Sequence, residues 1–113
     1  INYKQSPFFN ELTKEKLSGP KTLLKIIELT KGVEKFDVSI IKEQYVNYSI
    51  QLLMHLLNEE SKNWQQIKEA KQNLYHFSLN ELSSQKVKKS CVLARKMTYI
   101  YFNIWKIRSE SLD

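Results

Sequence analysis

Seven bases, Lys86, Lys88, Lys89, Arg95, Lys96, Lys106 and Arg108, crowd the C-terminal part of this 113-residue sequence, facing only Glu110 and Asp113 there. The residues up to Gln85 carry eleven Lys and Arg against ten acids, so nearly all of the net charge of +6 belongs to the C-terminal segment. At about 100° per residue, a helix through it places Val87, Cys91, Ala94, Met97, Thr98, Tyr101, Ile104 and Trp105 on one side, facing a core. The opposite side gathers Lys88, Lys89, Arg95, Lys96, Asn103 and Lys106, with Val92, Tyr99 and Ile107 among the charges. Basic side chains around apolar anchors suit an acidic, hydrophobic peptide, because charge steers the encounter and the anchors hold it. The same set can hold phosphates with a base stacked on Tyr99. A merely solvated basic face carries the same charges and needs no partner. The candidate partner-binding residues are therefore Lys88, Lys89, Val92, Arg95, Lys96, Tyr99 and Lys106.

Catalytic chemistry has little to work with. His55, His76 and Cys91 are the only His and Cys residues, and no two of them share the close spacing of a metal-ligand pair. His55 falls at the edge of an apolar stripe and His76 beside Phe77, both packing positions, while Cys91 falls on the core side, where a thiol is inert. Glu59 and Glu60 are adjacent carboxylates that a helix boundary explains. There is no phosphate-binding glycine loop, dinucleotide fingerprint or nucleophile elbow. Asn47-Tyr48-Ser49 matches a glycosylation acceptor but lies within a helical pattern. The expectation is no catalytic residue, no metal site, no cofactor, and a chain that is not an enzyme.

Helices are the elements that must position these groups. Two glycines and two prolines are too few for the tight turns of a β fold, and five Phe, six Tyr and two Trp supply one core. Ser6-Pro7 reads as a helix start, with Phe8, Leu12 and Leu17 on its face and Ser18-Gly19-Pro20 at its end. Pro20 begins a second helix carrying Leu23, Leu24, Ile26 and Ile27, closed by Gly32 in left-handed conformation. Asp37 caps a third, where Ile41, Tyr45, Tyr48, Leu52 and Leu56 form one apolar stripe and Val46, Ile50, Leu53 and Leu57 another. Its polar strip through Glu43, Asn47, Gln51 and Asn58 is narrow, so other helices should surround it. After a loop over 58–63, Trp64, Ile67, Lys71, Leu74 and Phe77 recur at helical spacing. Residues 78–84 read either as a helical turn or as a connection, and 84–109 as one helix of roughly 35–40 Å.

These elements predict an all-α domain over 1–113, an irregular bundle of four or five helices with a long C-terminal helix packed against the segment 37–57. A first residue of Ile fits a piece excised from a longer protein. The lone cysteine and the absence of a signal sequence or apolar span fit an intracellular chain. Met97 to Trp105, with basic flanks, resembles an interfacial helix, but packing against the other amphipathic segments is a simpler use of it than a membrane surface. The functional expectation is a protein-protein interaction module that takes an acidic, hydrophobic segment of another protein on the basic face of the last helix. Nucleic-acid binding by the same face is the alternative.

Overall fold

The third helical segment organises the molecule, because its two adjacent apolar stripes leave almost no side free for water. In the computed structural model, which describes residues 14–33 and 37–111, it is a helix of 20 residues, Val38–Leu57. Among the described residues, six α-helices run α1 Lys14–Leu17, α2 Gly19–Thr30, α3 Val38–Leu57, α4 Trp64–Asn73, α5 Gln85–Lys96 and α6 Thr98–Ser111. A 3-10 turn at Leu79–Glu81 precedes α5, and the described residues contain no strand. The fold is thus all-α. The expected helix start at Ser6-Pro7, with Phe8 and Leu12, lies outside the described residues.

Ten residues of α3 are buried, from Ile41 and Tyr45 to Leu56 and Leu57, and α2, α4 and α5 pack around it. Asp37 is the expected cap, its carboxylate accepting from the Ser39 amide at 3.0 Å and the Ser39 hydroxyl at 2.6 Å. The same bonds hold the Asp37 carboxyl below its ordinary pKa. Gly32 has φ 84°, the left-handed conformation expected just beyond α2. Gly19 has a different purpose. It is the first residue of α2, and a Cβ there would overlap the phenol end of Tyr48, whose hydroxyl donates to the Lys16 carbonyl at 2.7 Å. The glycine lets α2 approach α3 closely, so steric need and not turn geometry selects it.

The connection over 78–84 is a built element. Ser78 and Glu81 form a reciprocal capping box, and Lys42 of α3 holds the Glu81 carboxylate at 3.0 Å, which keeps its pKa low. Glu43, also from α3, accepts from the Ser83 and Ser84 amides at 2.8 and 2.9 Å. A carboxylate there meets the positive end of α5, and Ser84 caps the same helix by accepting from the Val87 amide. Lys42 and Glu43 of α3, one a base and one an acid, thus fix the segment that leads into α5.

The single long C-terminal helix expected from the sequence is instead two, of 12 and 14 residues, with a break at Met97. Met97 has φ −126° and ψ 51°, outside helical values. Thr98, buried beside the break, donates its hydroxyl to the Ala94 carbonyl at 2.7 Å, in place of a backbone donor. The break needs neither glycine nor proline, which is why composition did not reveal it. It also leaves α5 packed into the core through Val87, Cys91 and Ala94 while α6 runs along the edge.

Candidate interaction surface

Helix α6 is anchored to α3 through aromatic side chains. The Trp105 indole donates to Gln51 Oε1 at 3.2 Å, meets the His55 ring edge to face at 5.0 Å and stacks on Phe102 at 6.0 Å. Burial, with the charge of Lys16 as a smaller cause, lowers the His55 pKa and favours the neutral ring in this contact. Thr98, Phe102, Trp105 and Ser109, at intervals of four, three and four, make up the inward face. The reverse of the helix carries Ile100, Ile104 and Ile107, exposed at 56%, 44% and 64%. Met97, at the break, is 50% exposed.

Two of the residues assigned to the core by the helical wheel, Ile104 and Met97, therefore lie outside. The physical reason is that, among the described residues, α6 packs mainly against α3 and α5, so its buried arc is narrower than one drawn for a long central helix. Val87, Cys91, Ala94 and Thr98 are buried as expected, and Tyr101 and Trp105 are half-buried. Burial raises the Cys91 thiol pKa, Arg95 opposing it, so this cysteine is unreactive packing.

The seven candidate residues do not form one face. Lys89 and Lys96 are exposed on α5, with Lys88 and Val92 half-buried beside them, and Lys106 is exposed on α6. Arg95 turns inward instead. Its Nε and Nη2 donate to the Leu74 and Phe77 carbonyls, each at 2.7 Å, and its guanidinium covers the Tyr75 ring at 4.8 Å. These carbonyls follow the end of α4, where helical partners run out. Arg95, assigned to the outer side of the helix by the wheel, therefore ties α5 to the end of α4 instead.

Tyr99, 57% exposed, faces α4. Together with Trp64, Ile67, Lys68, Lys71, Gln72 and Tyr75 it lines an open groove of about 450 Å³. Trp64, expected on the packed side of its helix, is 61% exposed, and Tyr75 58%. Sequence reasoning missed this groove because its rings come from separate segments. It also missed Ile100 and put Ile104 on the core side, although the spacing of Ile100, Ile104 and Ile107 was a signal that α6 carries apolar residues on two sides.

Among the described residues, no three His, Cys, Asp or Glu side chains come together as metal ligands would, and no helix is long and apolar enough to cross a membrane. Comparison with protein-family models, with curated proteins and with solved structures returned no match.

Proposed function

We propose that the chain is a non-enzymatic protein-interaction module that receives an acidic amphipathic helix of another protein on the outer face of α6. The observation that carries this reading is the row Ile100, Ile104 and Ile107, at intervals of four and three residues, exposed opposite the side that packs on the core. A helix with apolar residues on both sides is built for neighbours on both sides, and the four-three interval matches the seam of two packed helices. Within a 14-residue helix of about 21 Å, the row offers roughly two turns of contact. Charge selects the partner. Lys96 at the end of α5 and Lys106 and Arg108 on α6 are exposed, so a second copy would bring like charges together, whereas glutamates flanking a partner's apolar seam would meet this basic end of the molecule favourably.

The test is fluorescence anisotropy with a labelled synthetic helix bearing Leu at its a and d positions and Glu at its flanks. The wild-type chain should bind it. Ile104→Asp should lose tenfold or more, the effect of placing a charge in a desolvated contact, and Lys96→Glu with Lys106→Glu should weaken binding and flatten its salt dependence. Equal affinity of the wild type and Ile104→Asp would contradict the reading, as would no binding by the wild type.

A further inference from the structure

We propose that the groove between α4 and the start of α6 is a binding site for single-stranded nucleic acid, with bases stacked on Trp64, Tyr75 and Tyr99 and phosphates held by Lys68 and Lys71. This site shares no side chain with the proposed helix-docking row on α6. Its exposed apolar surface consists of rings: Trp64, Tyr75 and Tyr99 are each more than half exposed, while the one aliphatic lining residue, Ile67, is 4% exposed. A peptide anchor needs a hole to fill, whereas a base needs a flat face, and flat faces are what the groove presents.

Its charge is of one sign. Lys68 and Lys71 line the groove, no carboxylate does, and among the described residues neither lysine has an acidic partner within ion-pair distance. The acid next along the helix, Glu69, accepts from the Gln65 amide at 3.2 Å and lines a separate cavity between α2, α3 and α4. The Gln72 side chain, at the groove wall, can both donate to and accept from a base edge.

One of the rings is also held in place before any ligand arrives. Arg95, fixed by the Leu74 and Phe77 carbonyls, covers one side of Tyr75, and the Tyr75 hydroxyl donates to the Arg95 carbonyl at 3.3 Å. A platform that does not have to be ordered on binding loses less entropy to its ligand. The groove volume of about 450 Å³ is within the range of small-ligand sites.

The experiment titrates the full chain into 5′-fluorescein 15-mers of oligo-dT and oligo-U, reading anisotropy and tryptophan emission. Binding with a log-log salt slope of about −1.4 is expected for two lysine contacts to a single strand. Trp64→Ala, at an exposed position, should keep the thermal midpoint and weaken binding about fivefold or more, the lower range for one stacked base. Lys68→Glu with Lys71→Glu should abolish it, and Ile104→Asp should leave it unchanged. Tighter binding of oligo-U or of oligo-dT supports the site in either case and tells whether the 2′-hydroxyl is read. The proposal is overturned by no binding to either strand, or by full affinity in Trp64→Ala. It is equally overturned if Lys96→Glu with Lys106→Glu weakens binding as much as the groove pair does, which would mean diffuse attraction. Displacement of the oligonucleotide by an equal concentration of poly-glutamate would assign the groove to acidic peptides instead.

Discussion

Arg95 is the residue whose removal should reveal most about how the C-terminal helices are held. Arg95→Ala deletes two hydrogen bonds of 2.7 Å from a charged donor to the carbonyls of Leu74 and Phe77, and the cover over Tyr75. A bond to a charged group contributes about 1.5–3 kcal/mol and an exposed cation-π contact about 0.5–1 kcal/mol. One guanidinium makes all three contacts and is only partly buried, so the lower ends apply and the total is about 3.5 kcal/mol. With a urea m-value of about 1–3 kcal/mol/M, the unfolding midpoint should fall by at least 1 M, roughly. Arg95→Lys should recover part of the loss, since an ammonium reaches one carbonyl well but cannot span both in the plane of a fork. In a double-mutant cycle, Tyr75→Ala should couple to Arg95→Ala by about 0.5–1 kcal/mol. If Arg95→Ala unfolds within about 0.5 kcal/mol of wild type, the usual spread of surface changes, the account of the α4–α5 junction is wrong.

Gly19→Ala should destabilise by about 1–3 kcal/mol by the same urea measurement, because the new methyl meets the Tyr48 ring, and in a Tyr48→Ala background the same substitution should cost almost nothing further. Ser49→Ala should raise stability by about 1 kcal/mol, since the Ser49 hydroxyl is buried with no hydrogen-bond partner among the described residues; a loss of similar size would show that the hydroxyl is bonded. The depressed pKa of His55 makes stability pH-dependent: the unfolded chain takes up the proton first, so stability is full above about pH 7 and falls as pH drops through 6.5 toward the folded value. Asp37 and Glu81, held low by hydrogen bonds from Ser39 and Lys42, add their own loss only nearer pH 4. His55→Gln should flatten the stability profile between pH 7 and 5, and an unchanged slope there would show that another group titrates.

The helical class and most helix limits were legible because they depend on local chemistry. Asp37 and Ser84 cap with their own side chains, Gly32 takes the left-handed turn, and the two apolar stripes of α3 announce a central helix. The break at Met97 was not legible, since no glycine or proline marks it. The placement of Arg95 was hidden for a related reason: on a helical wheel it sits among bases, and only the end of α4, about twenty residues earlier in the chain, supplies the carbonyls that draw it inward. The outward turn of Ile104 and Trp64 likewise depends on which neighbours exist. Apolar periodicity tells which residues share a face, but whether that face is covered is a property of the whole arrangement.

The central claim, that the outer face of α6 receives an acidic helix, is tested most directly by following backbone amide resonances of the isotopically labelled chain during titration with the acidic amphipathic peptide. Shift changes should concentrate on residues 96–108, with the largest near Ile100, Ile104 and Ile107, and should vanish in Ile104→Asp. Changes centred on α2 or on the Trp64–Tyr75 groove, with the α6 amides unmoved at saturation, would contradict the claim.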